Sequence, residues 1–554
     1  MRINRSIIEK IPLFIVPIGF FVLGLYIILF RHLLFEEFDG VANLFVGIEF
    51  FQGKGFVGWG SHYYGPLYPF LLGFFNLFLD GFFAGKLISL VSATILLIYA
   101  YRFTYFLTKN KAFPILVQIY IAAYPLFFIA SIQVENNMLD STLIVISFYY
   151  FVKSINQSKV KYIRLAGIFS SLAFLTRQTS IILPILFFFF YLIYIKNSEE
   201  NHKIKSLTNF LISFLVISVP WLVYNTIKNG SPIASWQYLN LGYYLSGDPY
   251  WLEISQQDFN NLIDVVRAYY PNIIDRWLSN LNIIFFSTKD YVVPMFGGIL
   301  GYLFIPTFIN GFIKHRKRFL PYFCAFVVYI TGISFFNFYE QLLLAWIILF
   351  SMESIIFMKD FNVLVVNQIS NLEINFNLFD IIKNILFKNE KMMVEVSLIL
   401  FSILPIGYGM YKTYNETSYY VANYEMEIHD AREIAETLKA YDENIQEKYI
   451  MAIHPAYAYY ANSYFLVAPV FYSGLIEDYV NYGDIHEKVI NYYLKFPANE
   501  GIYNFSADYL IYDRILKGYT PQFNFLFDTD SNEIPSNFKL IYHTKYAVVY
   551  EILK

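Results

Sequence analysis

Cysteine and charge are both scarce in this chain of 554 residues. The one cysteine, Cys324, lies inside an apolar run, so a single chain has neither a disulfide framework nor a cysteine-based metal site. Charged residues make up 15% of the sequence, well below the level of about a quarter that is usual in soluble domains. These shortages exclude an ordinary soluble protein.

Apolar residues are abundant: 57% of the chain is hydrophobic, 21% is aromatic, and the mean hydropathy is +0.45. Crossing a bilayer takes about 20 apolar residues in a helix. Runs of suitable length or nearly so lie near 12–30, 82–101, 113–131, 139–152, 162–176, 178–195, 207–227, 291–313, 319–336, 341–358 and 394–411. The pattern predicts a mainly α, polytopic helix bundle with about 11 spans, and residues 66–79 add a re-entrant or interfacial segment.

The apolar runs end near Lys412, which divides the chain into a membrane part, 1–412, and a soluble part, 413–554. The soluble part holds 20 acidic residues against 10 basic ones, so the two parts face different environments. A helical pattern near 425–440 precedes β-rich runs at 448–453, 465–471 and 507–513 and a hairpin-like pair at 538–543 and 546–552. We therefore expect a small C-terminal α/β domain.

Basic residues set the expected orientation. With a cytoplasmic N-terminus, the inner segments hold 21 Lys and Arg, whereas the outer loops, including 31–65 and 228–290, hold seven. An odd number of spans then places the C-terminal domain outside the cell membrane. No cleavage site follows the first apolar run, so we interpret it as a retained span.

Two groups of carboxylates lie where the chain leaves the predicted bilayer. The first, Glu36, Glu37 and Asp39, follows the first span, and the second ends in Asp140 at the start of the fourth. A carboxylate in such a place can take a proton from an attacking hydroxyl. The alternatives are that the first group is merely solvated and that Asp140 caps the helix beginning at Ser141.

Cations and aromatic residues lie near the same face. Arg177 is in a polar break between the fifth and sixth spans, where a guanidinium suits a lipid phosphate or acts only as an interfacial anchor. Lys54 and His62 lie in a glycine-rich first loop with Tyr63 and Tyr64. These side chains are candidates for substrate contact, although tyrosines also accumulate at any membrane interface.

Four stretches together resemble the GT-C superfamily, in the group of protein O-mannosyltransferases and the lipid A aminoarabinose transferase. They are 38–39 (Phe-Asp), 65–72 (Gly-Pro-Leu-Tyr-Pro-Phe-Leu-Leu), Asp140, and 166–177, which ends in Leu-Thr-Arg. The resemblance covers about 1–230, and the C-terminal region is similar to the tail domain of bacterial and archaeal members. It implies that Asp39 is the catalytic base, that Asp140 is the acidic second-loop residue, and that Arg177 and Lys54 lie near the carrier phosphate.

Two departures from that group stand out. Residues 339–342 read Tyr-Glu-Gln-Leu where many relatives carry an Arg-Tyr pair, and Asp39-Gly40 replaces the Asp-Glu pair of the mannosyltransferases. The second departure weakens the case for a protein acceptor.

The predicted function is transfer of a sugar from a polyprenyl (dolichyl or undecaprenyl) phosphate to a lipid, glycan or protein acceptor. No cofactor is required by the sequence, and a divalent cation, Mg or Mn, is left open. No nucleic-acid partner is expected. The competing interpretations are a transporter or flippase of a lipid-linked sugar and a receptor whose spans only anchor it. Transport predicts charges near mid-membrane, whereas Asp39, Asp140 and Arg177 fall at one face.

Overall fold

The structure is a computed structural model. It describes residues 11–30, 38–56, 64–194, 200–232, 241, 262–286, 304–334, 340–370, 430–452, 454, 456–467, 507–519, 521–534 and 536–553. Most of these residues are helical, and a small sheet lies near the C-terminus.

Fifteen described helices precede the C-terminal domain. They are α1 (Ile11–Phe30), α2 (Phe38–Phe51), α3 (Leu67–Asn76), α4 (Gly81–Thr108), α5 (Ala112–Ala122), α6 (Pro125–Ile132), α7 (Asn137–Gln157), α8 (Val160–Thr176), α9 (Ile182–Tyr194), α10 (Glu200–Asn229), α11 (Leu262–Ala268), α12 (Tyr270–Phe286), α13 (Phe304–Lys314), α14 (Arg316–Ile333) and α15 (Leu344–Ser370). The predicted mainly α membrane bundle is thereby confirmed.

Among the described residues, four helices are long and apolar enough to cross a bilayer by length and composition: α1, α4, α7 and α10. Helices α5 and α6 make a fifth candidate if they are counted as one span bent by 67°. The bend lies at the extended residue Tyr124, where Pro125 starts the second helix. The predicted run at 394–411 lies outside the described residues, so the count of eleven stays a prediction.

The predicted outer loop 31–65 contains helix α2, and the apolar segment 66–79 contains α3. A ten-residue helix such as α3 is about 15 Å long, half of a bilayer core of about 30 Å. It therefore does not cross by itself, in agreement with an interfacial or re-entrant segment. Helices α11 and α12 lie within the predicted loop 228–290.

Helix α8 packs along both α7 and α10, and α4 packs along α1, α5 and α7. Helices α7 and α8 run in opposite directions through a short connection, so the start of α7 and the end of α8 lie at the same end of the bundle. Inside the bundle, the hydroxyls of Ser147 on α7 and Ser170 on α8 are 2.7 Å apart and form a hydrogen bond between the two helices.

The C-terminal domain consists of α16 (Ala431–Tyr441), β1 (Tyr449–Ala452), α17 (Ala456–Ala461), β2 (Tyr464–Val467), β3 (Tyr509–Asp513), α18 (Arg514–Tyr519), β4 (Phe538–His543) and β5 (Ala547–Ile552). Its five strands are in the order β2-β1-β3-β5-β4, with β1 parallel to β2 and β3, and β5 antiparallel to β3 and β4. The predicted strands and hairpin are confirmed. Residues 425–429 and the boundary near 413 lie outside the described residues.

Candidate functional site

Asp39 lies in the first turn of α2, and its side chain is exposed. The hydroxyl of Tyr64 donates a hydrogen bond of 2.7 Å to its Oδ1. This contact joins the start of α2 to the segment before α3, 25 residues later. Of the three first-loop side chains predicted to touch substrate, Tyr64 therefore contacts the predicted base. His62 and Tyr63 lie outside the described residues.

Gly40 explains why α2 reaches the loop before α7. A Cβ atom at this position would lie 1.6 Å from the carbonyl oxygen of Val134, closer than any real contact. The backbones of α2 and of the loop before α7 therefore touch, which brings Asp39 beside residues 135–137. A glutamate at position 40 cannot fit this packing, and this accounts for the Asp39-Gly40 departure noted in the sequence.

Gly65 plays a similar part for Tyr64. A Cβ atom there would lie 2.3 Å from the carbonyl oxygen of Leu175 and 2.9 Å from that of Thr176. The segment that carries Tyr64 is thus pressed against the end of α8, immediately before Arg177. The two glycine contacts and the hydrogen bond from Tyr64 to Asp39 bring four chain segments together: the start of α2, the loop before α7, the segment before α3 and the end of α8.

Asp140 is buried, with 5% of its surface exposed. The capping alternative was wrong, because α7 begins at Asn137 rather than at Ser141 and Asn136 occupies the cap position. Asp140 lies one turn further in, where its carboxylate accepts a hydrogen bond of 2.9 Å from the hydroxyl of Ser180. A buried carboxylate with a dedicated donor is held in a fixed orientation.

Arg177 ends α8 in an extended conformation, and a single turn of 3₁₀ helix, Gln178–Ile181, follows it. The predicted break in the chain is confirmed. Its Nη2 donates to the side-chain oxygens of Asn136, at 2.9 Å, and Asn137, at 2.6 Å. The guanidinium lies within electrostatic range of Asp140, Glu135 and Asp39. The structure therefore brings Asp39, Asp140 and Arg177 together.

Tyr329 of α14 is a part of the site that the sequence did not predict. Its hydroxyl lies close to the side chains of Arg177 and Thr179 and interacts with both. The sequence directed attention to residues 339–342, but Tyr339 lies outside the described residues and Glu340 begins the 3₁₀ turn Glu340–Leu343. Because more than 150 residues separate Tyr329 from Arg177, no local pattern could connect them.

Lys54 is not brought together with Arg177. It follows the C-terminal end of α2, which lies about 18 Å along the helix from Asp39. Its ammonium lies 5.1 Å from the ring centre of Tyr464 in the C-terminal domain. A contact of Lys54 with a carrier phosphate stays a prediction.

A bound divalent cation needs several side-chain donors around one point. Within the part of the chain that the structure describes, no group of three or more His, Cys, Asp and Glu side chains is placed to hold a metal ion. The carboxylates near Asp39 instead surround a guanidinium, which already balances part of their charge. The described residues therefore do not form a metal cage.

Comparison with known proteins gives one family match. The family model of dolichyl-phosphate-mannose-protein mannosyltransferases matches residues 64–224, less than a third of the chain. The matched segment contains Tyr64, Asp140 and Arg177 but neither Asp39 nor Lys54. No curated protein sequence gives a significant match.

Solved structures give matches over most of the chain. ArnT from Cupriavidus metallidurans bound to undecaprenyl phosphate matches with a TM-score of 0.56 and 12% identity over 96% of this chain and 97% of that one. The Archaeoglobus fulgidus oligosaccharyltransferase in its apo form has a TM-score of 0.54 and 11% identity over 90% and 69% of the two chains. The same archaeal enzyme, AglB, with an inhibitory peptide and a dolichol-phosphate has a TM-score of 0.53 and 11% identity over 91% and 69%.

These identities are low, so the likeness concerns the fold. It extends from the helix bundle through the C-terminal domain, because nearly the whole of both chains is matched in the case of ArnT. The predicted resemblance is confirmed, and the chain is a multi-pass membrane protein with the fold of the GT-C glycosyltransferase superfamily.

Proposed function

We propose that this protein transfers a sugar from a polyprenyl phosphate to an acceptor hydroxyl on the outer face of the cell membrane. The single observation that supports the proposal best is the convergence of an exposed carboxylate, Asp39, with a guanidinium that two asparagines orient, Arg177. The carboxylate can take a proton from the acceptor hydroxyl, and the guanidinium can bind the leaving phosphate. The family match and the relatives bound to undecaprenyl phosphate or dolichol-phosphate support the same donor class.

Asp39 is proposed as the general base. It is the exposed carboxylate of the cluster, whereas Asp140 is buried and bonded to Ser180. Tyr64 donates to Oδ1 of Asp39, which restrains the carboxylate, and Oδ2 is proposed to take the acceptor proton. Asp140 then helps to hold the loop that carries Arg177, because Ser180 follows Arg177 by three residues.

Arg177 is proposed to bind the donor phosphate. Arg177 is partly buried, which is costly for an arginine unless its donors are paired, and a phosphate can accept hydrogen bonds from its planar fork. Asn136 and Asn137 fix Nη2 before any ligand arrives, so little reorganisation is needed when charge develops on the phosphate.

In the proposed step, the acceptor oxygen attacks the anomeric carbon on the face opposite the phosphate. The bond from the anomeric carbon to the phosphate oxygen breaks, and a new bond to the acceptor oxygen forms. The acceptor proton goes to Asp39, and the bonding electrons leave with the polyprenyl phosphate. One carboxylate on the acceptor side is enough for such an inverting transfer, in contrast to a retaining glycosidase, which uses two.

The competing function is transport of a lipid-linked sugar. A transporter needs polar groups along a path through the bundle. Helix α14 contributes Tyr329 to the candidate site. It also carries Arg318, which pairs with Glu353 at 3.0 Å and lies about 16 Å along the helix from Tyr329. Between these two residues α14 presents Phe319, Ala325 and Phe326 to a tightly packed apolar core. This arrangement favours a transferase.

The test is a panel of polyprenyl-phosphate sugars presented to the purified, detergent-solubilised protein, each with lipid, glycan and peptide acceptors. Acceptor-dependent release of the free lipid phosphate is the expected result. In parallel, vesicles with reconstituted protein receive a fluorescent lipid-linked sugar in one leaflet. Movement of that lipid without release of lipid phosphate would support the transporter and contradict the proposal.

A further inference from the structure

We infer that the C-terminal domain positions the proposed base, acting through α2, and that Tyr459 is the principal positioning residue. The inference rests on the proposed function of Asp39. Its observations are independent of that role, because they concern contacts between helix α17 and the membrane part of the chain.

Tyr459 inserts its ring between two elements of the membrane part. The ring lies edge-on to Phe45 of α2, with centroids 6.3 Å apart, and to Phe82 of α4, with centroids 4.6 Å apart. Around these rings a single apolar core contains Val41 and Leu44 of α2 together with residues of α16 and α17. The C-terminal domain and α2 therefore share one buried core.

The hydroxyl of Tyr459 also completes the start of α4. It accepts a hydrogen bond of 3.1 Å from the backbone N–H of Gly81 and lies 3.5 Å from the side-chain oxygen of Asn76, to which it donates. The first N–H groups of a helix have no partner within the helix. Asp80 accepts from Phe83 in the same turn, so one cap of α4 is local and another comes from the C-terminal domain.

A second contact connects the C-terminal end of α2 to strand β2 of the C-terminal domain. Lys54 lies over the ring of Tyr464, which also stacks on Tyr449 with centroids 4.9 Å apart. Burial raises the pKa of the nearby Glu49 carboxyl, and the ammonium of Lys54 opposes that rise. These contacts connect the end of α2 to the sheet of the C-terminal domain.

The geometry links these contacts to Asp39. Helix α2 has 14 residues, a length at which an isolated helix is marginal in water, and Asp39 lies in its first turn, where helices fray. On one side α2 touches Val134 at Gly40 and the α3 backbone at Gly47. Phe45 lies on a different side of the helix from these two glycines, and there the ring of Tyr459 packs against it.

The experiment compares Tyr459→Phe with Tyr441→Phe in the full-length protein. Tyr441 is a matched control: it is in the same domain, its hydroxyl bonds to Glu551 and Lys539, and it is 42% exposed. Tyr459→Phe keeps the ring packing and removes the hydroxyl, which holds the backbone of Gly81 at the point where α4 packs against Leu44 of α2. We expect its kcat to fall on the order of tenfold with KM for the lipid donor unchanged, and Tyr441→Phe to match the wild type.

Two further readouts separate positioning from general damage. Amide hydrogen exchange across residues 38–51 should speed up in Tyr459→Phe and stay unchanged in Tyr441→Phe. In the Asp39→Asn background, Tyr459→Phe should add no further loss, because a residue that acts through Asp39 has nothing left to position.

The outcomes are distinct. Wild-type kcat and wild-type exchange in Tyr459→Phe, with Asp39→Asn inactive, would overturn this inference and leave the proposed function standing. Losses that multiply in the double variant would also overturn it. Full activity of Asp39→Asn would instead overturn the proposed function, and the exchange measurement would still decide whether Tyr459 orders α2.

Discussion

At the scale of single residues, Arg177 is held by more partners than any other charge of the site. Its Nη2 bonds to Asn136 and Asn137, and Tyr329 meets it from α14. Arg177→Ala should therefore remove roughly 2–3 kcal/mol of transition-state stabilisation, through loss of a charge-assisted hydrogen bond to phosphate. This loss is measured as a lower kcat/KM for the lipid donor. Lysine should restore only part, because an ammonium lacks the planar fork.

The matched control is Arg164→Ala, at the other end of the same helix. Its Nε donates to Asn209 at 2.6 Å, and its side chain is exposed. Donor kinetics of Arg164→Ala should equal those of the wild type. If Arg177→Ala also equals the wild type, Arg177 is an interfacial anchor and its phosphate role is refuted.

Tyr64 gives a second prediction at this scale. Tyr64→Phe removes the hydrogen bond of 2.7 Å to Asp39 and keeps the ring. Hydrogen bonds to charged groups contribute about 1.5–3 kcal/mol, so kcat should fall by roughly one to two orders of magnitude while KM for the donor stays constant. The control is Tyr105→Phe, because Tyr105 is on α4 and 40% exposed, and both kcat and KM should equal those of the wild type. A raised KM with unchanged kcat would show that Tyr64 binds substrate instead.

The sequence predicted some of these residues and could not predict others. Asp39, Asp140 and Arg177 follow from their places beside apolar runs, since charges at the ends of spans collect at one face. Their partners do not follow. Tyr329 comes from a distant helix, and the asparagines at 136 and 137 bond to Arg177 only because α7 and α8 are antiparallel. Lys54 was expected near the carrier phosphate together with Arg177. Because α2 is a helix, Lys54 lies beyond its C-terminal end, away from Asp39.

At the scale of elements, the close approach of α2 to the loop before α7 makes Gly40 critical. Gly40→Ala would place a methyl group 1.6 Å from the Val134 oxygen, so α2 must shift. We expect a loss of about 1–3 kcal/mol in stability, together with loss of activity, because Asp39 is the neighbouring residue. Thermal unfolding in detergent and the transfer assay measure the two effects.

Gly19→Ala is the control for that substitution. Gly19 is also helical, and no atom lies within 4 Å of its added Cβ. Alanine favours helix over glycine, so this variant should be neutral or slightly more stable. If Gly40→Ala behaved in the same way, the proposed approach of α2 to Val134 would be incorrect.

The apolar runs at 82–101 and 207–227 predicted α4 and α10, but α4 continues to Thr108 and α10 already begins at Glu200. Helix boundaries were harder to predict where polar residues belong to the helix. Helix α7 begins at Asn137, and the polar residues before Leu143 concealed this start. Helix α2 was not expected either, because glycine and carboxylates at its start are typical of a loop.

At the scale of the whole molecule, the account predicts the orientation of the chain in the membrane. The site residues lie at the start of α7 and the end of α8, and the distribution of basic residues predicts that this end faces the outside. After Cys324 is replaced, a cysteine at the exposed position Ala440 should react with an impermeant thiol reagent in intact cells. A cysteine at Gln157, the exposed end of α7, should react only after permeabilisation. The reverse pattern would invert the topology.

The central claim is that Asp39 removes the acceptor proton during sugar transfer. Asp39→Asn keeps the shape of the side chain and removes its basicity, and it is compared with Glu36→Gln and Glu37→Gln, which change carboxylates three and two residues earlier in the sequence. With an active donor and acceptor pair, the measurement is the rate of acceptor-dependent release of lipid phosphate. We predict a fall on the order of a hundredfold or more for Asp39→Asn, with unchanged donor binding and near wild-type rates for the two controls. A near wild-type rate for Asp39→Asn would contradict the account.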